Sequence, residues 1–170
     1  MKKTIIISGK SIPLSASAGA LIHYKKQFGT EYTDDYKQLK ELSNDSQFQA
    51  EKFAQIALRL LWAMAVSADR NVAPFEDWIV KYKAEELFDA ISTAQELFNA
   101  SLSNIRSSGQ GNDFTSERLL AQALICGLSV DDLDDLPLPM VIDTIESWCK
   151  VKGYAEDDAR PATQADFDAL

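Results

Sequence analysis

One histidine, two cysteines and a run of aspartates are the residues of this 170-residue chain whose types could do chemistry. A serine or cysteine nucleophile needs a base beside it, and His23 is the only imidazole available. It stands in a helical stretch next to Tyr24 and Lys25 and reads as a structural or surface histidine. Cys126 and Cys149 cannot build a Cys/His zinc cage, a CxxC redox pair or a disulfide framework, and their number fits a reduced, cytosolic protein. The run Asp131-Asp132-Leu133-Asp134-Asp135 lacks the alternating ligands, central glycine and closing glutamate of an EF-hand loop, and Pro137 interrupts it. It reads as a solvated helix face or connector. No Walker loop, GxGxxG or HExxH is present, and Gly109-Gln110-Gly111 is too short to cradle a phosphate. Nothing marks any pair among the 26 carboxylates as a glycosidase acid and base. Trp62, Trp78 and Trp148 have the spacing of helix-core residues. No catalytic, cofactor-binding or metal-ligating residue is assigned, no cofactor is expected, and the chain reads as a binding protein, not an enzyme.

The elements that would position these residues follow from periodicity. Lys3 to Ser8 is β-branched, Gly9-Lys10 is turn-like, and Ile12-Pro13-Leu14 reads as a returning edge strand. Two strands alone are marginal in water, so this hairpin must pack on something. Ser15 is a candidate N-cap for a helix to Phe28, with Gly29 ending it and Leu21, Ile22, Tyr24 and Phe28 inward. A short helix is expected around Tyr36 to Leu42. Phe53, Ile56, Ala57, Leu60, Leu61, Met64 and Ala68 share one helical face. Each large apolar side chain buried there contributes roughly 1.5–3 kcal/mol, which makes this helix the expected spine. Pro74 opens the next helix, with Trp78 and Ile79 inward. A further helix, Ala84 to Ser101, carries Leu87, Phe88, Ile91, Ala94 and Phe98 on one face.

Ser107-Ser108-Gly109-Gln110-Gly111-Asn112 is small and polar and reads as a flexible linker. Beyond it, one helix runs from Ser116 to Gly127. Ser129 with Asp132 forms a capping-box variant, and a second helix runs from Pro139 to Lys150 with Val141, Ile145 and Trp148 turned to the first. Such a pair alone would be only marginally stable. The expected fold is therefore mainly α. A small N-terminal β-hairpin packs on a helical domain over residues 1–108, an acidic helical segment spans 109–153, and a flexible acidic tail spans 154–170.

The charge is divided along the chain in the same way. Residues 1–108 are net neutral, and the whole formal charge of −9 falls in residues 109–170. That segment would repel a phosphate backbone, and no basic stripe compensates, so nucleic acid is not expected as a partner. No apolar run approaches the ~20 residues of a membrane span, and the short run after Met1-Lys2-Lys3 does not make a secretory signal, so no membrane role is expected. A neutral helical body with an acidic arm suits a protein that holds other proteins.

The opening Ile5-Ile6-Ile7-Ser8-Gly9-Lys10 through Pro13-Leu14, followed by Ala18-Gly19-Ala20-Leu21-Ile22-His23-Tyr24-Lys25-Lys26-Gln27-Phe28-Gly29, resembles the start of the tail assembly chaperones of long-tailed bacteriophages and prophages. Leu60-Leu61-Trp62-Ala63-Met64-Ala65, Ala68-Asp69 and Pro74-Phe75-Glu76-Asp77-Trp78-Ile79 are similar to the most recognisable stretch of that family, and Arg160 to Leu170 resembles its tails. Arg118 to Trp148 would be either a regular C-terminal piece or an extension added by ribosomal frameshifting. The resemblance implies a non-enzymatic role in the host cytoplasm: coating the tape measure protein, recruiting tail tube subunits through the extended form, self-association, and absence from the mature virion. The alternative is a structural minor tail or head-tail connector protein retained in the virion.

Overall fold

The computed structural model describes residues 2–41, 46–102 and 115–154. It is mainly α, with an N-terminal hairpin packed on helices. Strands β1 (Lys2–Ile7) and β2 (Lys10–Ser15) pair antiparallel, with Ile5 opposite Ile12. The turn is Ser8-Gly9, one residue earlier than Gly9-Lys10, and both residues have positive φ (51° and 70°). That is the geometry of a two-residue turn matching the right-handed twist of the strands. Alternation then sends Ile5, Ile7, Ile12 and Leu14 inward and leaves Ile6 in solvent.

Helix α1 (Ala18–Phe28) is preceded by Ser17 as N-cap, while Ser15 ends β2. Gly29 closes it in the left-handed conformation, φ 73°, as a C-terminal glycine does. Helix α2 (Tyr32–Glu41) begins four residues before the expected Tyr36, because Glu31 accepts from the amides of Asp34 and Asp35 through its carbonyl and so starts the first turn. Helix α3 (Ser46–Ala68) is the spine, but its burial is not one-sided. Every residue from Leu60 to Val66 is buried, since α1, α2, α5 and β2 surround it. Phe53, near its outer end, is exposed instead.

Helix α4 (Phe75–Ile79) follows Pro74 and buries Trp78. Helix α5 (Ala84–Leu102) buries Leu87, Ala90, Ile91, Ala94, Leu97 and Phe98; Phe88, expected on that face, is 57 % exposed because it follows Leu87 by one residue, about 100° round the helix. Helices α6 (Ser116–Ile125), α7 (Val130–Asp135) and α8 (Leu138–Lys152) complete the described chain. The Ser129–Asp132 capping box is present. These three helices do not stand apart as an appendage. Leu119, Ala123, Leu133, Leu138, Val141 and Ile145 join the same core as the hairpin and α3, α7 lies on α1 and α3, and α8 lies on α5. The linker at 107–112 and the tail beyond Tyr154 fall outside the described residues. Among the described residues no helix is long and apolar enough to cross a membrane.

Candidate functional site

The chemistry-bearing residues converge on α7. Asp134, in the run read as solvent-facing, is 6 % exposed. The reason is the small-residue start of α1: Ala18, Gly19 and Ala20 let α7 come close, and the Ala18 amide donates to the Leu136 carbonyl at 3.0 Å. His23 Nε2 lies 2.9 Å from Asp134 Oδ1. An ionised carboxylate only accepts, so the imidazole is the donor there. Ser67 Oγ donates to the same oxygen at 3.0 Å, and Arg70 donates from Nε and Nη2 to Oδ2 at 2.9 and 2.6 Å. Ser15 Oγ holds the Asp134 carbonyl at 2.9 Å, and Ser17 and Ser67 share a 2.6 Å hydrogen bond. Burial alone would push this carboxyl up, but the bonds from His23, Arg70 and Ser67 outweigh it and hold Asp134 below the usual carboxylate range.

This cluster contains a serine, a histidine and an aspartate, yet its order is not that of a hydrolytic triad. In a triad the imidazole stands between nucleophile and carboxylate. Here the carboxylate stands in the middle, and both the Ser67 hydroxyl and His23 point at it. The arrangement ties β2, α1, α3 and α7 together; it does not activate an oxygen.

A second polar cluster surrounds the C-terminal end of α1. Buried Glu31 accepts from Ser116 N at 3.1 Å and Ser116 Oγ at 2.6 Å, which places a carboxylate at the start of α6. Tyr24 donates to Asp35 Oδ2 at 2.7 Å, and Thr30 donates to the same oxygen at 2.9 Å. Cys126 and Cys149 are free thiols, and burial followed by the neighbouring Cys149 pushes Cys126 up, away from thiolate reactivity. Trp62 and Trp78 are buried and Trp62 Nε1 donates to the Ala73 carbonyl at 2.9 Å, while Trp148 is half-buried and stacks on Tyr154. No group of metal-ligating side chains occurs among the described residues.

The surface feature with binding character is elsewhere. Between α3, α4 and α5 lies an open trough of about 580 Å³, floored by α3 and walled by Phe75, Ile79 and Phe88. It adjoins a hollow of about 230 Å³ that shares Leu58, Ile79 and Phe88 and adds Val80 and Tyr82. Phe88 and Val80 are largely exposed, so the two form a continuous apolar surface. A third, more polar hollow of about 440 Å³ lies between β1 and α5, where Ser8 donates to Glu86. The trough is not visible in the sequence, because Phe88 extends an apolar stripe that reads as entirely core. The one available signal is that Leu87, Ile91, Ala94 and Phe98 fall within about 60° of the helix circumference while Phe88 lies outside that arc. Comparison with protein-family models, curated proteins and solved structures gave no match to this chain.

Proposed function

We propose that this chain is a non-enzymatic tail assembly chaperone of a long-tailed bacteriophage or prophage. It holds the tape measure protein in the host cytoplasm during tail assembly, with tail tube subunits and further copies of itself as additional partners, and is released before the virion is complete. The observation that carries this reading is the apolar trough between α3, α4 and α5. Its α4 wall, Phe75 and Ile79, belongs to the Pro74–Ile79 stretch that resembles the family. The floor continues into the turns of α3 from Leu60 to Val66, which are packed on every side. A client that is long, helical and prone to aggregate needs apolar cover of this kind. Among the described residues the buried carboxylates, Asp134, Glu31 and Asp35, are engaged in holding helices together.

Co-expression with the tape measure protein tests the reading. The expected result is a soluble complex that co-purifies; an insoluble tape measure protein, unchanged by the presence of this chain, would refute it. Mass spectrometry of purified virions addresses the structural alternative, a minor tail or connector protein, which would be present in stoichiometric amounts where a chaperone is scarce.

A further inference from the structure

We infer that the outer edge of β1 pairs with β1 of a second copy, so that two hairpins join antiparallel about Thr4 into one four-stranded sheet. The inference rests on the self-association proposed for this chain and gives it a surface and a register. It starts from the backbone. In a hairpin closed by the two-residue turn Ser8-Gly9, Ile7 and Lys10 exchange both ladder bonds, and the bonding pairs recur at Ile5–Ile12 and Lys3–Leu14. The N–H and C=O groups of Lys2, Thr4 and Ile6 therefore point away from β2. Among the described residues those of Thr4 and Ile6 meet no hydrogen-bond partner. Thr4 is exposed and Ile6 is 78 % exposed. The corresponding edge of β2 is closed, because Pro13, across from Thr4, has no N–H to give at its centre. Among the described residues β1 is thus the one strand with a pairing edge, and a second copy offers it the same edge in return.

Register and charge point to that occupant. Pairing about Thr4 sets Thr4 against Thr4, Lys2 against Ile6 and Lys3 against Ile5 of the second copy. Outward-bonding residues then meet outward-bonding residues, and no lysine faces a lysine. The hollow of about 440 Å³ between β1 and α5 opens beside this edge, where a neighbouring strand would lie about 4.8 Å from β1. Ile5 and Ala90 line it together with the carboxylates Glu86 and Asp89. Lys3 is on the same side of the strand as Ile5 and Ile7, so in the second copy it comes to lie across from Ile5, toward α5 and those carboxylates. Residues 1–30 carry five lysines and no carboxylate. The entering strand is therefore basic, and attracted to this wall, although the chain as a whole carries −9.

Sedimentation of the full chain over a range of concentrations tests this. Wild type should form a concentration-dependent dimer. Ile6→Pro removes an outward N–H and no ladder bond of the hairpin, and should weaken the dimer about tenfold or more with the circular dichroism unchanged. Charge exchange supplies a second test, at surface side chains. Lys3→Glu alone, and Glu86→Lys with Asp89→Lys alone, should each weaken self-association by a similar factor, because like charges then meet between strand and wall. An equimolar mixture of these two variants should restore a dimer of wild-type affinity, since each strand then meets a wall of opposite charge. Ile125→Lys on the exposed face of α6 is the control and should dimerise as wild type does. A wild type that stays monomeric at every concentration overturns the inference. So does a dimer that the charge variants leave intact, or a mixture that associates as weakly as its components. Co-expression separates this pairing from the chaperone reading. If wild type is monomeric yet keeps the tape measure protein soluble, the pairing falls and the chaperone reading survives. If wild type dimerises as described and the tape measure protein stays insoluble, the pairing stands and the chaperone reading falls.

Discussion

Gly19 on α1 and Asp134 on α7 are so close that a Cβ built on Gly19 would overlap Asp134 Oδ1 and press on the Asp134 backbone. The missing side chain at position 19 is what lets α7 approach until the carboxylate meets His23 and Ser67. The glycine is required for space, since its φ is not in the left-handed region. A packing relationship thus fixes the polar one, and both join the second-last helix of the described chain to the first.

Gly19→Ala separates these effects by sign. In a helix with room for a methyl group, alanine would stabilise by about 1 kcal/mol. Here the overlap forces α7 outward, and the expected outcome is a net loss of about 1–3 kcal/mol. Thermal unfolding followed by circular dichroism checks it. A raised Tm would mean that α7 does not lie against α1.

Asp134→Asn keeps the shape and removes the charge that Arg70 and His23 face. The expected loss at neutral pH is about 1–2 kcal/mol, that of the charge-assisted hydrogen bonds, because Arg70 is half-exposed and keeps its 2.6 Å pair with Asp131. The folded carboxyl titrates below its unfolded value of about 3.9, so its contribution is complete above that value. It is lost as pH falls toward the depressed folded value. Urea midpoints measured from pH 7 to pH 3 should therefore show wild type and variant converging as the solution becomes acidic. A gap that stays constant would contradict this assignment.

How far the sequence discloses this architecture depends on whether a residue is governed by its neighbours in the chain or by distant ones. The hairpin, the Gly29 helix end and the Ser129–Asp132 capping box are local, and each is readable from a few adjacent residues. Asp134 is not local. Four aspartates around one leucine read as solvent-facing, and only the approach of α1 and Arg70, 64 residues away, turns one of them inward. The same holds for Phe88, whose neighbours along α5 are core residues although its own side of the helix is uncovered. The acidic character of residues 115–154 likewise gives no hint that their apolar residues complete the core of the N-terminal elements.

Glu31→Gln probes the attachment of α6. The carboxylate accepts from both the amide and the hydroxyl of Ser116, the first residue of that helix, so the substitution removes a charge at the positive end of the helix and one of two acceptors. A loss of about 1–2 kcal/mol is expected. Amide exchange should rise over residues 116–125 while the amides of residues 60–66 in α3 change much less. Uniform acceleration throughout would show that Glu31 supports the whole fold and not this helix end.

Tyr24 is fully buried and donates to Asp35 Oδ2, which also receives Thr30 and stands 3.5 Å from Arg59 Nη1. Burial first, and then the bond to Asp35 and its charge, push the phenol well above its ordinary value, with Arg59 pulling the other way. The folded protein therefore holds this proton more tightly than the unfolded chain. The stability that Tyr24 contributes is complete below about pH 10, where the free phenol titrates, and is lost as pH rises toward the higher folded value. Burial raises Tyr82 as well, so substitution is needed to assign the effect. Tyr24→Phe should lower stability by about 1 kcal/mol at pH 8, through the lost hydrogen bond. It should also flatten the decline in urea midpoint between pH 10 and pH 11.5, and remove one tyrosine from the late step in the 295 nm absorbance titration. If wild type and Tyr24→Phe decline in parallel over that range, the phenol is not held by Asp35.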